Sequence, residues 1–271
     1  MVYIIKIILT IAIICFTACS SYTPKTYNNI SFIDVGQGDA ALIQNNGENI
    51  LIDCGPDNGA VDSFLTNRNI DKIDWLILSH NHADHCGALQ VISAKFAIGH
   101  LLFPRGMKLP NHIQFADTIS LVEGDMLNFQ NELKMTVLWP CKIIPQDADS
   151  ANHYSLVCHF QTTDFSALFA GDIDFDAEKE FINSIPTDVN FLKIPHHGSK
   201  NSTSWEFIEK LNPFLSVVSV GNDNDYGLPD SSALFRINAA SSVLRRTDID
   251  GTITINCSEA LSQHRRMPSE P

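Results

Sequence analysis

The sequence predicts an α/β (α+β) protein in which two β-sheets pack against each other and helices cover their outer faces. Apolar runs typical of strands occur in clusters in both halves of the chain, and helical segments are interleaved with each cluster. A sheet buries its apolar face against another layer, so two such clusters favour a layered sandwich. We find no linker that would divide residues 30–260, and we predict a single domain there.

The first strand cluster begins after residue 29. An Asn45-Asn46-Gly47 turn signal separates two of its strands, as in a hairpin. Apolar runs and periodicity predict strands at 30–34, 40–44, 48–53, 73–78 and 97–103, and helices at 60–69 and 87–96.

The second cluster follows a less periodic region, 104–150, in which one strand is predicted at 135–139. Its first two strands form a predicted hairpin that ends at Gly171-Asp172. The predicted strands are 155–161, 166–170, 189–194, 215–220, 243–246 and 252–255, and the predicted helices are 175–184, 202–211 and 231–240.

The first 18 residues differ from the rest of the chain. They are almost wholly apolar, carry one lysine and end in Phe16-Thr17-Ala18, directly before Cys19. This pattern is typical of a signal peptide, and Cys19 resembles the acylated cysteine of bacterial lipoproteins. We predict a lipoprotein signal peptide at 1–18, a tether at 19–29 and a polar tail at 261–271, with a retained anchor helix as the alternative. Either reading places the domain outside the cytoplasm, tethered to a membrane of the bacterial cell envelope.

The charge of the chain argues against a long polyanionic partner. The formal net charge is −13, and removal of residues 1–18, which contain one cation and no anion, lowers it to −14. Such a surface repels nucleic acid, although bound divalent cations would offset the charge locally. Five cysteines remain after Cys19, an odd set without a C-x-x-C pair, which argues against a disulfide framework.

The stretch Ser79–Gly87 carries three histidines and an aspartate directly after a buried strand. At period two, His80 and His82 project to the same side and can bind one metal ion. Asp84 and His85 lie in the following turn and suit a second ion beside the first. Imidazole favours zinc, and a carboxylate also accepts manganese. A polar loop that happens to carry histidines is the alternative, but four such side chains within six residues favour a metal site.

Two later strand ends add candidate ligands. Asp172 follows a buried strand and a glycine, although an ordinary turn would leave the same sequence pattern. His196 and His197 end another apolar strand. Adjacent side chains of an extended segment point to opposite faces, so we expect only one of these histidines to face the metals.

The order of these motifs resembles the metallo-β-lactamase superfamily, and most closely the carboxy-terminal hydrolase domain of ComEC-type competence proteins. The resemblance spans nearly all of the chain after the signal peptide. The matching stretches are FIDVGQGDA at 32–40, LIDCG at 51–55, LSHNHADHCG at 78–87, NHYSLV at 152–157, FAGD at 169–172, KIPHHGS at 193–199, NDYGLP at 224–229 and RTDIDGTI at 246–253.

The resemblance implies a four-layer αββα sandwich with a dinuclear metal centre at one edge of its sheets. In that centre His80 and His82 would bind the first ion. Asp84 and His85 would bind the second, and Asp172 would bridge both.

Further roles are implied by the same resemblance. Asp53 would support the metal loop, residues 79–87, from behind, and a histidine of the pair His196-His197 would position or protonate phosphate. Many superfamily members supply another histidine where this chain has Asn152 and His153, so both are possible additional site residues.

One position departs from the family pattern. Relatives read Tyr-Gly-His-Pro near the end, and that histidine corresponds to a superfamily ligand of the second metal, whereas this chain has Leu228. The second site is then weaker, is completed by His197, Asp225 or Asp230, or stays empty. Residues 226–229 could also be only a turn.

These patterns predict a metal-dependent hydrolase with two divalent ions, zinc or manganese, of which the second is in doubt. A metal-activated water would attack a phosphodiester, oriented by Asp84 and Asp172, and His196 or His197 would protonate the leaving oxygen. The expected substrate is a small diester or single-stranded nucleic acid, and no protein partner is readable. The alternatives are hydrolysis of an ester, thioester or lactam at the same centre, or a non-catalytic lipoprotein that binds a metal or a partner.

Overall fold

Two seven-stranded β-sheets face each other in the structure, which is a computed structural model. It describes residues 28–264 apart from 110–114, 116, 142–150, 188 and 241–242. The predicted signal peptide, the lipidation site Cys19 and most of the tether lie outside the described residues. Among the described helices, none combines the length and apolar character that crossing a bilayer requires.

The first sheet holds the amino-terminal strands and the last strand of the chain, in the order β14-β1-β2-β3-β4-β5-β6. Pairing is antiparallel from β14 to β3 and parallel from β3 to β6. The strands are β1 (Asn29–Phe32), β2 (Ala41–Asn45), β3 (Glu48–Ile52), β4 (Lys72–Ile77), β5 (Ala97–Pro104), β6 (Thr118–Leu121) and β14 (Ile253–Asn256).

The second sheet has the order β13-β12-β11-β10-β9-β8-β7. It is parallel from β13 to β10 and antiparallel from β10 to β7, so each sheet has one parallel and one antiparallel part. The strands are β7 (Met126–Asn128), β8 (Lys134–Trp139), β9 (Val157–Gln161), β10 (Ser166–Phe169), β11 (Phe191–Lys193), β12 (Leu215–Val218) and β13 (Val243–Arg246).

Helices cover the outer faces of both sheets. One apolar cluster, with Ile50 and Phe160, lies between the sheets, and two further clusters join each sheet to its helices. The helices are α1 (Ala60–Asn67), α2 (Ala83–Cys86), α3 (Leu89–Lys95), α4 (Phe175–Phe181), α5 (Trp205–Leu211), α6 (Ser231–Ala239), α7 (Thr247–Asp250) and α8 (Cys257–His264), with 3₁₀ turns at Ile182–Ser184 and Pro195–Gly198. The predicted αββα sandwich is therefore confirmed.

Several elements differ from the predictions, and helices α2, α7 and α8 were not predicted. The helix expected at 87–96 begins at Leu89, as α3, and at Gly87 before it a Cβ atom would lie 2.3 Å from the carbonyl oxygen of Ala83. Strands β6 and β7 were not predicted, because they are three or four residues long and half-exposed. Helix α8 extends to residue 264, past the predicted start of the polar tail at 261.

Candidate metal centre

The carboxyl ends of parallel strands from both sheets meet at one edge of the sandwich. Asp53 follows β3 and His80 follows β4 in the first sheet, and Asp172 and His197 follow β10 and β11 in the second. Carboxyl ends of neighbouring parallel strands are the usual position of functional side chains in α/β proteins. Here the two sheets contribute opposite halves of one cluster.

Asp53 holds the metal loop from beneath. The backbone N–H and the hydroxyl of Ser79 donate to its two oxygens at 2.7 Å each, and His85 Nδ1 lies 2.8 Å from Oδ2. This contact fixes Nδ1 of His85 on Asp53 and directs Nε2 of the same ring towards Asp172. Asp53 thus contacts the loop in the way that the resemblance implied.

Asp172 lies at the centre of the cluster and is almost fully buried. Its carboxylate oxygens lie 3.2 Å from His85 Nε2, 3.6 Å from His197 Nε2 and 3.9 Å from His80 Nε2. The residue before it must be glycine: Gly171 has a φ of 51°, and a Cβ atom there would lie 2.7 Å from Cβ of Ser155. The Gly-Asp pair is therefore more than an ordinary turn.

Two groups of potential ligands share Asp172. In each group the ligand atoms lie within 4.8 Å of one another, and the groups consist of His80, His82 and Asp172, and of Asp39, His85, Asp172 and His197. Several of these atoms are buried and have no hydrogen-bond partner among the described residues: Nε2 of His80, of His85 and of His197, and Oδ1 of Asp172. Buried polar atoms are rarely unpartnered, and this donor set fits one or two divalent ions.

The His196-His197 pair does not follow the expected extended geometry. Both residues lie in the 3₁₀ turn Pro195–Gly198 with φ near 51°, so their side chains do not alternate between faces. His197 is buried, and its Nδ1–H donates to the carbonyl of Ser219 at 2.9 Å, which directs Nε2 towards the cluster. His196 Nε2 also lies 3.9 Å from Asp172 Oδ2. Only His197 belongs to a group of potential ligands, so the expectation that one of the two faces the metals stays a prediction.

The remaining predicted site residues lie around this centre. Asp84 is one-third exposed and contacts His197 Nε2 at 3.3 Å, outside both ligand groups. Asn152 Nδ2 donates to His196 Nε2 at 3.3 Å. His153 turns away from the centre to Asp174, at 3.1 Å.

Of the three residues considered as substitutes for the missing histidine, only His197 lies in a ligand group. Asp225 is exposed, and Asp230 caps helix α6 through Ser232. Leu228 packs against the apolar cluster beneath the helices of the second sheet. Residues 226–229 form a turn whose backbone is held by the side chain of Asn224.

Sequence reasoning did not identify Asp39 and Lys193. Asp39 follows Gly38 at the end of the FIDVGQGDA stretch, and its Oδ2 lies 2.8 Å from Lys193 Nζ. Both side chains are at most 7% exposed, and the pair joins the loop after β1 to β11 of the other sheet. A lysine inside the apolar strand 189–194 was the available signal, because such a residue needs a buried partner.

The electrostatics of the centre favour protons on two of its histidines. Burial alone would lower the pKa of His85 and of His197, but the carboxylate of Asp172 outweighs it, together with Asp53 for His85 and Asp84 for His197, so both pKa values are raised. Burial would raise the pKa of Asp172, yet His85 and His197 hold it well below its usual range. His80 behaves differently from these two histidines. Burial, together with the neighbouring His85, lowers its pKa well below the ordinary value.

We expect metal binding to release protons. A raised pKa means that His85 and His197 bind protons more tightly in the metal-free protein than an ordinary imidazole does, and a metal ion must compete with those protons for Nε2. The apparent affinity should therefore increase as the pH rises from about 6 to about 8. Calorimetric titration in buffers of different ionisation enthalpy measures the number of protons released; a binding enthalpy independent of the buffer would contradict the expectation.

Residues 33–140 match the sequence model of the Metallo-beta-lactamase superfamily. The chain therefore carries a metallo-β-lactamase domain, as the fold and the ligand-bearing strand ends indicate. It is similar to ComE operon protein 3 of Bacillus subtilis, with 30% identity over 254 residues, which cover 83% of this chain and 32% of that protein. It is also similar to Recombination protein 2 of Haemophilus influenzae, with 28% identity over 255 residues, 91% of this chain and 31% of that protein.

The chain spans about a third of the length of these curated relatives. Among solved structures, the metallo-beta-lactamase fold protein YhfI from Bacillus subtilis matches with a TM-score of 0.59 and 11% identity, over 85% of this chain and 99% of that one. At this identity the likeness shows the fold alone.

Proposed function

We propose that this domain is a metal-dependent phosphodiester hydrolase. One observation carries the proposal: the buried Asp172 is shared by two groups of ligand atoms, and Nε2 of His80, His85 and His197 has no hydrogen-bond partner among the described residues. Histidine and carboxylate donors suit zinc or manganese, and two ions about 3.5–4 Å apart are typical of enzymes that cleave phosphate esters.

Bound divalent ions would supply a Lewis acid and a water of lowered pKa. The residues of the chain would do the rest. Asp84 lies at the exposed side of the centre and would orient the attacking water together with Asp172. His196 is 29% exposed, faces Asp172 and is held by Asn152, so it is the candidate to hydrogen-bond or protonate the leaving oxygen.

The negative net charge favours a small diester or a short single strand over long duplex DNA. One of the relatives, Recombination protein 2, is named for recombination, which supports a nucleotide-derived substrate. A role in DNA transport would need membrane-spanning partners, and we do not assign one to this domain.

Hydrolysis of a chromogenic panel tests the proposal. We expect the zinc- or manganese-loaded protein to cleave bis-p-nitrophenyl phosphate, and His82→Ala to lower kcat/KM at least about 100-fold, because His82 belongs to one ligand group. His100→Ala is the matched control, since this histidine pairs with Asp117 away from the centre and should leave activity unchanged. Turnover of an ester, thioester or lactam alone would favour the second enzyme hypothesis. No turnover of any substrate would favour the non-catalytic one.

We further propose that the domain is exported and held at a membrane by a lipid on Cys19. The proposal rests on the signal-like residues 1–18 and on Ala18 before Cys19. Metabolic labelling with palmitate should mark the protein, and Cys19→Ser should abolish the label. A parent protein that takes up no label and is still found in the membrane fraction would support a retained anchor helix.

A further inference from the structure

The loop between β1 and β2 is fixed against the metal loop. The backbone N–H of Asp39 donates to the carbonyl of Asp84 at 3.0 Å. Gly38 permits this contact, because a Cβ atom there would lie 2.3 Å from the same carbonyl oxygen. On its other side the loop touches Gly221, where a Cβ atom would lie 2.5 Å from the backbone nitrogen of Gln37. Asp39 therefore has a defined position relative to the ligands.

Among the described residues, one carboxylate oxygen of Asp39 has a partner and the other has none. Oδ2 lies 2.8 Å from Lys193 Nζ, whereas Oδ1 is buried and has no hydrogen-bond partner among the described residues. A carboxylate oxygen of Asp39 lies within 4.8 Å of ligand atoms of His85, Asp172 and His197. Four ligands around an ion with bonds of about 2.0–2.2 Å lie roughly 3.5 Å apart, so this group needs only small shifts to close on a metal.

We propose that Asp39 is a ligand of the second metal ion, and that Lys193 determines which of its oxygens binds. The inference rests on the proposed metal centre and completes it. The ion pair occupies Oδ2, so Oδ1 remains as a single donor beside His85, Asp172 and His197. Four donors then surround the second position although Leu228 supplies none, and the ammonium of Lys193 offsets part of the charge of two carboxylates.

A structural explanation of Asp39 competes with this proposal. Asp39 and Lys193 could serve only to join the two sheets. Asp39 also borders a cavity of about 20 Å³ together with Asp53 and Ser79, and a water there could satisfy Oδ1. Neither role predicts any effect on metal content.

Metal stoichiometry separates the two explanations. The mature protein is loaded with zinc or manganese, desalted and measured by elemental analysis, without substrate. The decisive variant is Asp39→Leu/Lys193→Met, which removes both charges and leaves no buried ion unpaired. Lys193→Met alone keeps the ligand and removes a nearby cation. Asp34→Asn is the matched control, because Asp34 is an exposed aspartate of the same loop.

We expect the parent and Asp34→Asn to hold two equivalents and the double variant to hold one. Lys193→Met should keep both and bind the second ion at least as tightly as the parent, with the near-ultraviolet circular dichroism unchanged. A folded double variant with the metal content of the parent would overturn the proposal, as would loss of the second ion in Lys193→Met. The metal stoichiometry is measured without substrate. Absence of phosphodiester hydrolysis would therefore count against the proposed function but not against Asp39 as a metal ligand.

Discussion

Replacement of Asp172 by alanine should empty the centre and abolish activity. Asp172 is the only described residue that belongs to both ligand groups, so its loss removes a donor from each. We expect metal content below one equivalent per chain and a decrease in kcat/KM on the order of 10³-fold or more. Elemental analysis and the diester assay measure the two effects.

The control for this variant is Asp176→Ala. Asp176 is an exposed aspartate of α4 that pairs with Lys179, and its removal should leave both measurements at the level of the parent. An Asp172→Ala protein that keeps two ions, or that hydrolyses the diester at the parental rate, would show that the centre described here is not where the chemistry occurs.

Replacement of Lys193 by methionine should cause a large loss of stability in the metal-free protein. The substitution leaves the carboxylate of Asp39 buried between the sheets without its partner. Removal of one member of a buried ion pair typically lowers the free energy of unfolding by about 3–5 kcal/mol. Urea titration in the presence of a chelator measures the change.

Two comparisons show whether the unpaired charge is the cause. The double variant Asp39→Leu/Lys193→Met should recover most of the loss, because two apolar side chains replace the pair. Lys72→Met removes an exposed lysine that also contacts an aspartate, Asp74, and should leave the stability nearly unchanged. Equal losses in the single and double variants would point to packing around Lys193 instead.

Much of the centre could be predicted from local patterns. His80 and His82 follow a buried strand at period two, and the structure places both in one ligand group with Asp172. The fold could be predicted for a similar reason. The strands of the core are continuous apolar runs, and these can be recognised in the sequence without knowledge of long-range contacts.

Other parts depend on contacts that no local pattern contains. The turn at His196-His197 requires two left-handed residues, whereas the preceding apolar strand suggested that the chain stays extended. Asp39 looks like one more polar loop residue until its partner is known, and Lys193 lies 154 residues later in the chain. Strands β6 and β7 are exposed and short, so their sequence differs little from that of a loop.

The ligands are divided between the two sheets, and they therefore emerge at different times during synthesis of the chain. His80, His82 and His85 emerge first, and Asp172 and His197 follow about 90 and about 110 residues after His85, in the other sheet. A nascent chain that ends before Asp172 has imidazoles but not the shared carboxylate, so it cannot hold an ion as the finished domain can. A metal ion would therefore be bound at this centre only after both sheets have folded.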